Sequence, residues 1–421
     1  MPTPNDSLSS WLAWLERLHP TEIEMGLDRV GRVADRLKLR PAPMPVILVA
    51  GTNGKGSTVT LLADIYHAAG YTVGAYTSPH IHVFNERMSV NGIALSDQVI
   101  VNALHSIESA RNADTLTYFE YTTLAAMHAF IQHDCDLAVL EVGLGGRLDA
   151  TNLWDCDCAI LTSIALDHQA YLGDTRELIA REKVAIGRSG KPLIVGEPEP
   201  PSNLADLAQA ENMQIQLVNQ NLTVASALAG EHQQRNAACA LAAVDALQSL
   251  LPVHREAIEK GLNTVSLPGR FEVIMSDGLT VVLDVAHNPA AAETVAKALV
   301  TTFPDHQVFA VFSALNDKDI VGIVSALAPA VTSWYCAELS TARAMPLSEL
   351  VESVSSVASV TQSGTVTGFG ALADAMQAAS EAARDALEPT IILVAGSFFA
   401  LTELRERIVL NSDTHRTDAH Q

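Results

Sequence analysis

The residues whose types and order most clearly indicate a chemical function form a glycine-rich loop. The segment Gly51–Thr58 reads Gly-Thr-Asn-Gly-Lys-Gly-Ser-Thr, and it follows the apolar run Val46–Val49. Glycines let backbone N–H groups approach a phosphate closely, and a helix that begins in the loop adds partial positive charge. Lys55 can reach the terminal phosphates, and a hydroxyl of Ser57 or Thr58 can face a magnesium ion. A surface turn with an exposed lysine is a poorer explanation, because all these features occur in the order that phosphate binding requires.

The loop departs from the general P-loop pattern at two positions. That pattern has Gly where this chain has Val49, and Ser or Thr where this chain has Gly56. The chemistry of the loop alone therefore indicates a nucleoside triphosphate and nothing more specific.

Three further residues follow predicted strands, and together they indicate a metal site. Glu141 lies at the end of Leu137–Val142, Ser78 follows Val73–Tyr76, and His168 comes after a third strand. In P-loop enzymes an acid at a strand end holds Mg²⁺ or its water. A single histidine is more often structural, and Mg²⁺ prefers oxygen ligands, so the histidine is unexpected. Because the three positions share one sheet edge, a metal site is favoured over three solvent-exposed side chains.

Short apolar runs, glycine-rich or polar turns and longer amphipathic segments alternate through the first part of the chain. This alternation predicts an α/β fold, with a P-loop-type domain built on a mostly parallel sheet. Ligands of such sheets bind at the carboxyl ends of the strands. Helices are predicted at Ser57–Ala69 and Thr175–Ile186, and strands at Val46–Val49, Val73–Tyr76, Leu137–Val142, Ala159–Ile164 and Leu193–Val195.

A second, smaller α/β domain is predicted after Leu267-Pro268-Gly269, because Pro-Gly interrupts a helix-rich stretch there. The two domains are placed at residues 1–268 and 269–421, and the polar tail after Asn411 is expected to be disordered. The predicted strands of the second domain are Phe271–Met275, Thr280–Val285, Val308–Phe312, Trp334–Ala337 and Ile391–Ala395, and its predicted helices are Ala290–Thr301 and Ala371–Leu387.

The charge of the chain restricts what it can bind. It has 421 residues, with 26 Lys and Arg against 48 Asp and Glu, so its formal net charge is −22. Such an acidic chain is a poor candidate for binding nucleic acids or anionic membranes, and neither is expected as a partner. An anionic ligand must therefore meet a local cluster of basic groups, backbone amides or metal ions.

The sequence also lacks the features of a secreted or membrane protein. Its five cysteines are scattered and form no evident disulfide framework. The first ten residues are polar and do not form a signal peptide, and no apolar stretch approaches the roughly 18 residues that span a bilayer. A cytoplasmic location is therefore expected.

The glycine-rich loop resembles the ATP loop of the Mur ligase superfamily, and within it that of the folylpolyglutamate synthase family. Four other segments resemble motifs of the same family: Thr77–His80, Leu140–Asn152, Leu166–His168 and Arg181–Gly187. The resemblance extends over about 10–404. It implies a ligase that phosphorylates a carboxylate with ATP, and then joins the acyl group to the amine of an amino acid.

The resemblance implies roles for residues of the ATP and metal sites. Magnesium would be bound by Ser78, Glu141 and His168. ATP would be bound by Thr52, Asn53, Gly54, Lys55, Gly56, Ser57, Asn236, Arg270 and Asp284. Lys183 would be carbamylated and would help to hold a second metal ion, whereas without the resemblance it would be interpreted as a lysine on a helix surface. Asn is also a common helix cap, so a capping role for Asn236 stays open.

The resemblance also implies an acceptor site and a glutamate site. Thr-Tyr-Phe-Glu at 117–120 and Gly-Arg-Leu-Asp-Ala-Thr-Asn at 146–152 resemble the bacterial bifunctional members, which add glutamate to dihydropteroate and later to folates. Read alone, the first of these segments fits core packing at a strand-to-helix turn. The pterin or folate would be bound by Ile23, Met25, Thr117, Tyr118, Phe119, Glu120, Leu148, Asp149 and Ala150. Glutamate would be bound by Arg87, His287 and Ser397, and the catalytic residues would be Lys55, Lys183 and His287.

The expected activity is ATP-dependent addition of L-glutamate to dihydropteroate and to reduced folates. The expected cofactors are two Mg²⁺ ions, with a monovalent cation as a further candidate. The expected partners are these small molecules, and a monomer is expected. Three alternatives stay open: a folylpolyglutamate synthase alone, a muropeptide-type ligase, and a P-loop ATPase that does not ligate. Muropeptide ligases place a nucleotide-sugar domain before the loop, where this sequence has fifty residues before Gly51, which argues against the second alternative.

Overall fold

The computed structural model describes residues 2–19, 21, 23–219, 224, 226–228, 230–361 and 364–412, with the backbone alone at 360 and 361. The predicted disordered tail falls almost entirely outside these residues. The chain divides into two compact units, Met1–Ala227 with His232–Ser266 and Leu228–Glu231 with Leu267–Gln421. The assignment of separate roles to residues 1–268 and 269–421 stays a prediction.

The first unit is built on one sheet. Its strands are β1 (Val46–Ala50), β2 (Val73–Tyr76), β3 (Met88–Val90), β4 (Ile93–Ala94), β5 (Leu137–Glu141), β6 (Cys158–Leu161), β7 (Pro192–Val195) and β8 (Gln214–Leu217). Within the described residues the strands lie in the order β4-β3-β2-β5-β1-β6-β7-β8. Neighbours from β2 to β8 pair in parallel, and β3 and β4 extend the sheet in antiparallel fashion.

Helices connect these strands along the chain. They are α1 (Leu8–Leu15), α2 (Asp28–Arg36), α3 (Lys55–Ala68), α4 (Asp97–Arg111), α5 (Tyr118–Gln132), α6 (Gln169–Leu172), α7 (Arg176–Val184), α8 (Leu204–Ala210), α9 (Glu231–Ala246) and α10 (Arg255–Thr264). Short 3₁₀ helices occupy Phe84–Arg87 and Ala150–Leu153. Hydroxyl side chains cap several helices, among them Ser96 before α4 and Thr175 before α7.

The inner strands of this sheet are apolar along their whole length. Every residue of β1, β2, β5 and β6 is buried, on both faces of the sheet. Parallel strands that are covered on both faces have this continuous rather than alternating pattern. The functional residues predicted at the ends of β1, β2, β5 and β6 therefore stand on a rigid, buried support.

The second unit has the same construction on a smaller scale. Its strands are β9 (Glu272–Ser276), β10 (Leu279–Leu283), β11 (Gln307–Phe312), β12 (Ser333–Ala337), β13 (Val366–Phe369) and β14 (Thr390–Ala395). In the part of the chain described here, they lie in the order β13-β12-β11-β14-β10-β9 and only β9 is antiparallel to its neighbour. Its helices are α11 (Pro289–Thr302), α12 (Ile320–Leu327), α13 (Leu347–Thr361), α14 (Leu372–Asp385) and α15 (Phe398–Leu410).

The predicted α/β fold class is confirmed, and the strands that the sequence did not predict are short or exposed, whereas the unpredicted helices include long ones such as α4 and α5. β4 has two residues, and all four residues of the edge strand β8 are exposed, so neither gives an apolar run. Among the described residues, no helix is both long and apolar enough to cross a membrane.

We expect Gly261→Ala to destabilise the first unit. α10 packs closely on α3, and a Cβ at Gly261 would lie 2.6 Å from the backbone N and Cα of Ile65. Overpacking of this kind costs about 1–3 kcal/mol, although alanine itself favours a helix over glycine. Urea unfolding would measure the loss. Gly370→Ala is the control, because a Cβ there meets nothing within 4 Å; equal stability of the two variants would contradict the prediction.

Candidate active site

The glycine-rich loop joins the end of β1 to the start of α3. Gly54 stands immediately before the helix with a φ of 87°, a left-handed conformation that favours glycine. A Cβ at Gly54 would lie 2.3 Å from the Oδ1 atom of Asn236. Both the backbone conformation and the neighbouring side chain therefore require glycine at this position.

The residues after β6 hold the first half of the loop in place. The N–H of Thr52 donates to the Ser163 carbonyl oxygen at 2.8 Å, and the N–H of Asn53 donates to the Ser163 hydroxyl at 2.9 Å. The Thr162 hydroxyl donates to the Asn53 carbonyl oxygen at 2.6 Å. These bonds use two loop amides inside the protein, so a phosphate must find its donors further along the loop.

The start of α3 provides those donors. The N–H of Thr58 makes a helical bond to the Gly54 carbonyl oxygen, so residues 55–57 are the first turn, whose amides have no partner within the helix. The Nζ of Lys55 donates to the carbonyl oxygens of Gly51 at 3.0 Å and Thr52 at 3.2 Å, which keeps the ammonium group against the loop. Amides, helix terminus and ammonium together form an anion-binding site.

Glu141 and Ser78 meet beside this loop. Glu141 is the last residue of β5, which lies between β1 and β2, and it is buried. Its Oε2 atom accepts the N–H of Ser78 at 3.0 Å, and the same oxygen lies 3.4 Å from the position of a Cβ at Gly56. A Cβ at position 56 would thus be in ordinary van der Waals contact with the carboxylate, so the loop and Glu141 are direct neighbours.

His168 lies on the segment that follows β6. Its backbone is left-handed, with a φ of 50°, and its Nε2 atom is 3.9 Å from Oδ1 of Asp167. Within the described residues, no cluster of three or more His, Cys, Asp and Glu side chains could hold a metal ion. The predicted set contains only two residues of those types, Glu141 and His168, with Ser78 as the third member.

Lys183 is almost completely buried in α7. Burial lowers the pKa of its amine to about 7, and the nearby charge of Lys55 acts in the same direction, whereas Asp167 and Asp149 act against the shift. The prediction of a lysine on a helix surface, made without the resemblance, is therefore wrong. A buried amine with a pKa near neutrality is nucleophilic at physiological pH, as carbamylation requires.

The predicted acceptor residues lie around α5 and the loop after β5. Thr117 caps α5 and exchanges hydrogen bonds with Glu120, whose carboxylate also accepts from Arg29 at 3.0 Å. The ring of Phe119 packs over Gly143, where a Cβ would lie 2.5 Å from the ring. Core contacts at a helix start are thus present, as the sequence predicted, but the segment connects α4 to α5, so the predicted strand-to-helix turn is wrong. The start of α5 presents an aromatic ring to the glycine loop after β5.

Asp149 organises the other side of this region. It is fully buried and accepts hydrogen bonds from the N–H of Leu144 at 2.8 Å and from the N–H and hydroxyl of Thr151. Burial raises its pKa despite these bonds. Its neighbour Ala150 is buried, and Leu148 is half-buried. Ile23 and Met25, also half-buried, belong to the irregular segment before α2.

Arg87 is held by three side chains. Its Nε–H donates to Nδ1 of His80 at 2.9 Å, and its guanidinium lies 5.7 Å from the ring centres of both Phe84 and Tyr118. Burial, followed by the charge of Arg87, lowers the pKa of His80 to about 4, so the imidazole is neutral and can accept this bond. Arg87 is therefore oriented before any ligand arrives.

The candidate residues of the second unit surround the end of β10. Asp284 is buried and accepts the N–H groups of Phe271 and Ala286, both at 2.8 Å. Burial raises the pKa of Asp284 to about 6, against the effect of Arg270. Phe271 has a φ of 48°, so the Asp284 contact holds a conformation that a phenylalanine rarely adopts.

His287 and Ser397 occupy neighbouring strand ends, because β10 and β14 are adjacent. The Nδ1 atom of His287 lies 3.0 Å from the Val285 carbonyl oxygen. Ser397 is buried, caps α15 and accepts the N–H of Phe399 at 3.1 Å. The first residue of α15, Phe398, has a ring centre 5.6 Å from that of His287.

The structure excludes one of the two roles left open for Asn236 and adds two residues to the loop site. A helix-capping role for Asn236 is wrong, because α9 begins five residues earlier, at Glu231, and Asn236 lies inside it, buried, with its amide donating to Gln233 at 2.9 Å. Thr162 and Ser163 stabilise the glycine-rich loop from β6, more than a hundred residues away, and no local pattern signals such a pairing.

The chain is similar in sequence and in structure to known ligases. Residues 49–195 match the Mur ligase middle domain, and residues 269–398 match the Mur ligase glutamate ligase domain. A dihydrofolate synthase/folylpolyglutamate synthase of Escherichia coli is 44% identical over 424 residues, which cover 97% of each chain. The solved structure of E. coli FolC with DHPP and ADP has a TM-score of 0.89 and 42% identity, and covers 99% of this chain and 100% of that one.

A further structure is that of a bifunctional folylpolyglutamate synthase/dihydrofolate synthase with Mn, AMPPNP and L-glutamate bound. It has a TM-score of 0.86 and 39% identity, and covers 97% of this chain and 100% of that one. The fold, the loop and the two domain matches define an ATP-dependent ligase of the Mur type. More specifically, the chain belongs to the dihydrofolate synthase/folylpolyglutamate synthase family, which confirms the resemblance of its motifs.

We predict that Lys183→Met changes how stability depends on pH. The folded pKa of Lys183 is about 7, below its ordinary value of 10.5, so the unfolded chain binds the extra proton between these values. Stability of the wild type should therefore rise from pH 7 towards pH 10, whereas burial of the charged amine destabilises it below pH 7. At pH 6 the methionine variant should be more stable by at least about 1 kcal/mol, and this difference should shrink as pH rises.

Chemical unfolding in bicarbonate-free buffer at pH 6, 8 and 9.5 would measure this difference. Lys260→Met is the matched control, because Lys260 is an exposed lysine of the same unit. A stability difference for Lys183→Met that is the same at all three pH values would contradict a buried, titrating amine.

Proposed function

We propose that this chain adds L-glutamate to dihydropteroate, and then to reduced folates, through an acyl phosphate made with ATP. The observation that carries the proposal is the meeting of the phosphate loop with Glu141 and Ser78 at one sheet edge. Phosphoryl transfer requires a phosphate cradle and an acid for the metal ion in this arrangement. Residues 1–268 would form the P-loop domain, with the phosphate loop and the pterin site, and residues 269–421 would form the glutamate-ligase domain.

The triphosphate would be held by the first turn of α3. Lys55 and the amides of residues 55–57 would face the terminal phosphates, while Thr52 and Asn53 would shape the loop through Ser163. Asn236, which covers Gly54, would contact the adenine. In the second unit, Arg270 would meet a phosphate and Asp284 the ribose.

The residues around Glu141 fit a divalent cation. Ser78 and Glu141 carry oxygen atoms and are joined by the hydrogen bond from the Ser78 N–H to Oε2 of Glu141, and His168 would complete the set. A carbamylated Lys183 would add oxygen ligands for a second magnesium ion. Bound magnesium would neutralise negative charge on the phosphates. The relative with Mn and AMPPNP bound supports a divalent ion with a nucleotide; the number of ions and a monovalent cation are our extension.

The acceptor acid would bind between Phe119 and the loop that carries Leu148, Asp149 and Ala150. Phe119 offers a ring for stacking on the pterin, and Thr117, Tyr118 and Glu120 belong to the same helix start. Ile23 and Met25 would form the opposite wall. Since Asp149 already accepts from Leu144 and Thr151, its position is fixed before the pterin binds.

The chemistry follows from these positions. The carboxylate of the acceptor attacks the γ-phosphorus of ATP and gives an acyl phosphate and ADP. The amine of glutamate then attacks the acyl carbon, and phosphate leaves. Lys55 and the loop amides stabilise the charge of the transferred phosphoryl group. His287, Ser397 and Arg87 would orient the carboxylates of glutamate. We also propose that the protein is a monomer in the cytoplasm and that these small molecules are its partners.

We predict that Lys55→Ala abolishes glutamate-dependent ADP release. The ammonium group donates to the carbonyl oxygens of the proposed phosphate loop, so its removal should lower kcat by about 100-fold or more. A coupled ADP assay with dihydropteroate and glutamate would measure the loss. Lys38→Ala, at a lysine outside the loop, is the control, and normal turnover by Lys55→Ala would refute the proposed ATP site.

Purified protein with ATP and Mg²⁺ should release ADP only when glutamate and a pterin acid are both present. Parallel reactions with dihydropteroate and tetrahydrofolate, analysed by mass spectrometry, should each show addition of glutamate. Product from tetrahydrofolate alone would indicate a folylpolyglutamate synthase without the first activity. ATP hydrolysis at the same rate with and without glutamate would indicate a P-loop ATPase, and would overturn the proposal.

A further inference from the structure

The ring of Phe398 contacts a residue of the proposed ATP site and a residue of the proposed glutamate site. Its centre lies 5.1 Å from the guanidinium carbon of Arg270 and 5.6 Å from the centre of the His287 ring, which is tilted by 48°. All three residues belong to the second unit. The ring therefore lies beside two polar groups that come from separate parts of the chain.

The backbone on either side of Arg270 is fixed by other residues. The N–H of Gly269 donates to the Glu272 carboxylate at 2.8 Å, and the N–H of Phe271 donates to Asp284 at 2.8 Å. The guanidinium is at the end of a long side chain, and its Nη1 donates to the Gly269 carbonyl oxygen at 3.2 Å, which is one constraint on its direction. Its contact with the face of the Phe398 ring is a second constraint on that direction.

Phe398 itself stands on a rigid support. It is the first residue of α15, directly after the buried helix cap Ser397, and the next turn is anchored by the buried residues Ala400 and Leu401. The following residue, Phe399, is 45% exposed, whereas Phe398 is half-buried. The two phenylalanines thus have the same chemistry and adjacent positions, but only the first has the contacts described above.

We propose that Phe398 is a positioning residue that holds the guanidinium of Arg270 and the imidazole of His287 in their working orientation. A phenyl ring has no group that binds phosphate or carboxylate, and its electron-rich face repels anions. Any effect of Phe398 on anionic substrates must therefore act through Arg270 and His287. This inference rests on the proposed function, since it assigns these two residues to ATP and glutamate.

Steady-state kinetics of Phe398→Ala and Phe398→Leu test the inference. Each variant should raise KM for ATP and KM for glutamate by roughly three- to tenfold, and should leave KM for dihydropteroate within about twofold of the wild type. Phe398→Leu keeps apolar bulk in case the alanine variant folds poorly. Phe398→Tyr keeps the ring and should behave like the wild type. Phe399→Ala is the matched control and should also keep both KM values.

A double-mutant cycle checks the route of the effect. In an Arg270→Ala background, Phe398→Leu should add less than about twofold to KM for ATP, because the group that it positions is gone. An unchanged KM for ATP and glutamate in Phe398→Leu, or an equal rise in Phe399→Ala, would overturn the inference.

A binding measurement separates this inference from the proposed function. Calorimetry with AMPPNP and Mg²⁺ should show weaker nucleotide binding by Phe398→Leu than by Phe399→Ala, whether or not ligation occurs. Equal binding by the two variants would overturn the role of Phe398 at Arg270. Absence of glutamate addition by the wild type would overturn the proposed function and leave the calorimetric result to decide the inference.

Discussion

The constraint that governs this protein is electrostatic: a chain with a net charge of −22 must attract a triphosphate. Long-range attraction cannot supply the affinity, since the overall charge has the wrong sign. The positive potential must therefore be local, and the start of α3 concentrates it. Unpaired helix amides, the helix terminus and the Lys55 ammonium lie within one turn of one another.

Such a concentrated site requires a loop with one conformation, and the sheet provides it. β1 lies between β5 and β6, so the loop after β1 has the ends of both neighbours beside it. The end of β6 contributes Thr162 and Ser163, which hold Asn53 and Thr52, and the end of β5 contributes Glu141. The segment that holds the loop continues to Asp167 and His168. A shift of the loop would therefore also displace a proposed metal ligand.

The sequence predicted this site where the signal was local and failed where it was not. A strand, a glycine-rich turn and a helix that follow one another directly identify the phosphate loop, and Glu141 follows from an apolar strand that ends in glycines. The hydroxyls of Thr162 and Ser163 follow an equally plain strand, but their partners lie far away in the sequence. Asparagine is a residue type that often caps helices, and only the start of α9 at Glu231 shows that Asn236 lies inside the helix.

The surroundings of Lys183 explain why a modification at this position would require a bound cation. As an ammonium group, Lys183 is buried beside the like charge of Lys55, and its pKa falls to about 7. Loss of the proton relieves that repulsion but leaves a buried polar group. A carbamate would reverse the charge and attract Lys55, yet it would then face the carboxylates of Asp149 and Asp167. Three neighbouring anionic groups, two of them on the buried residues Lys183 and Asp149, are unfavourable without a counter-ion. A divalent cation would offset all three, so the modified lysine and the metal ion would each stabilise the other.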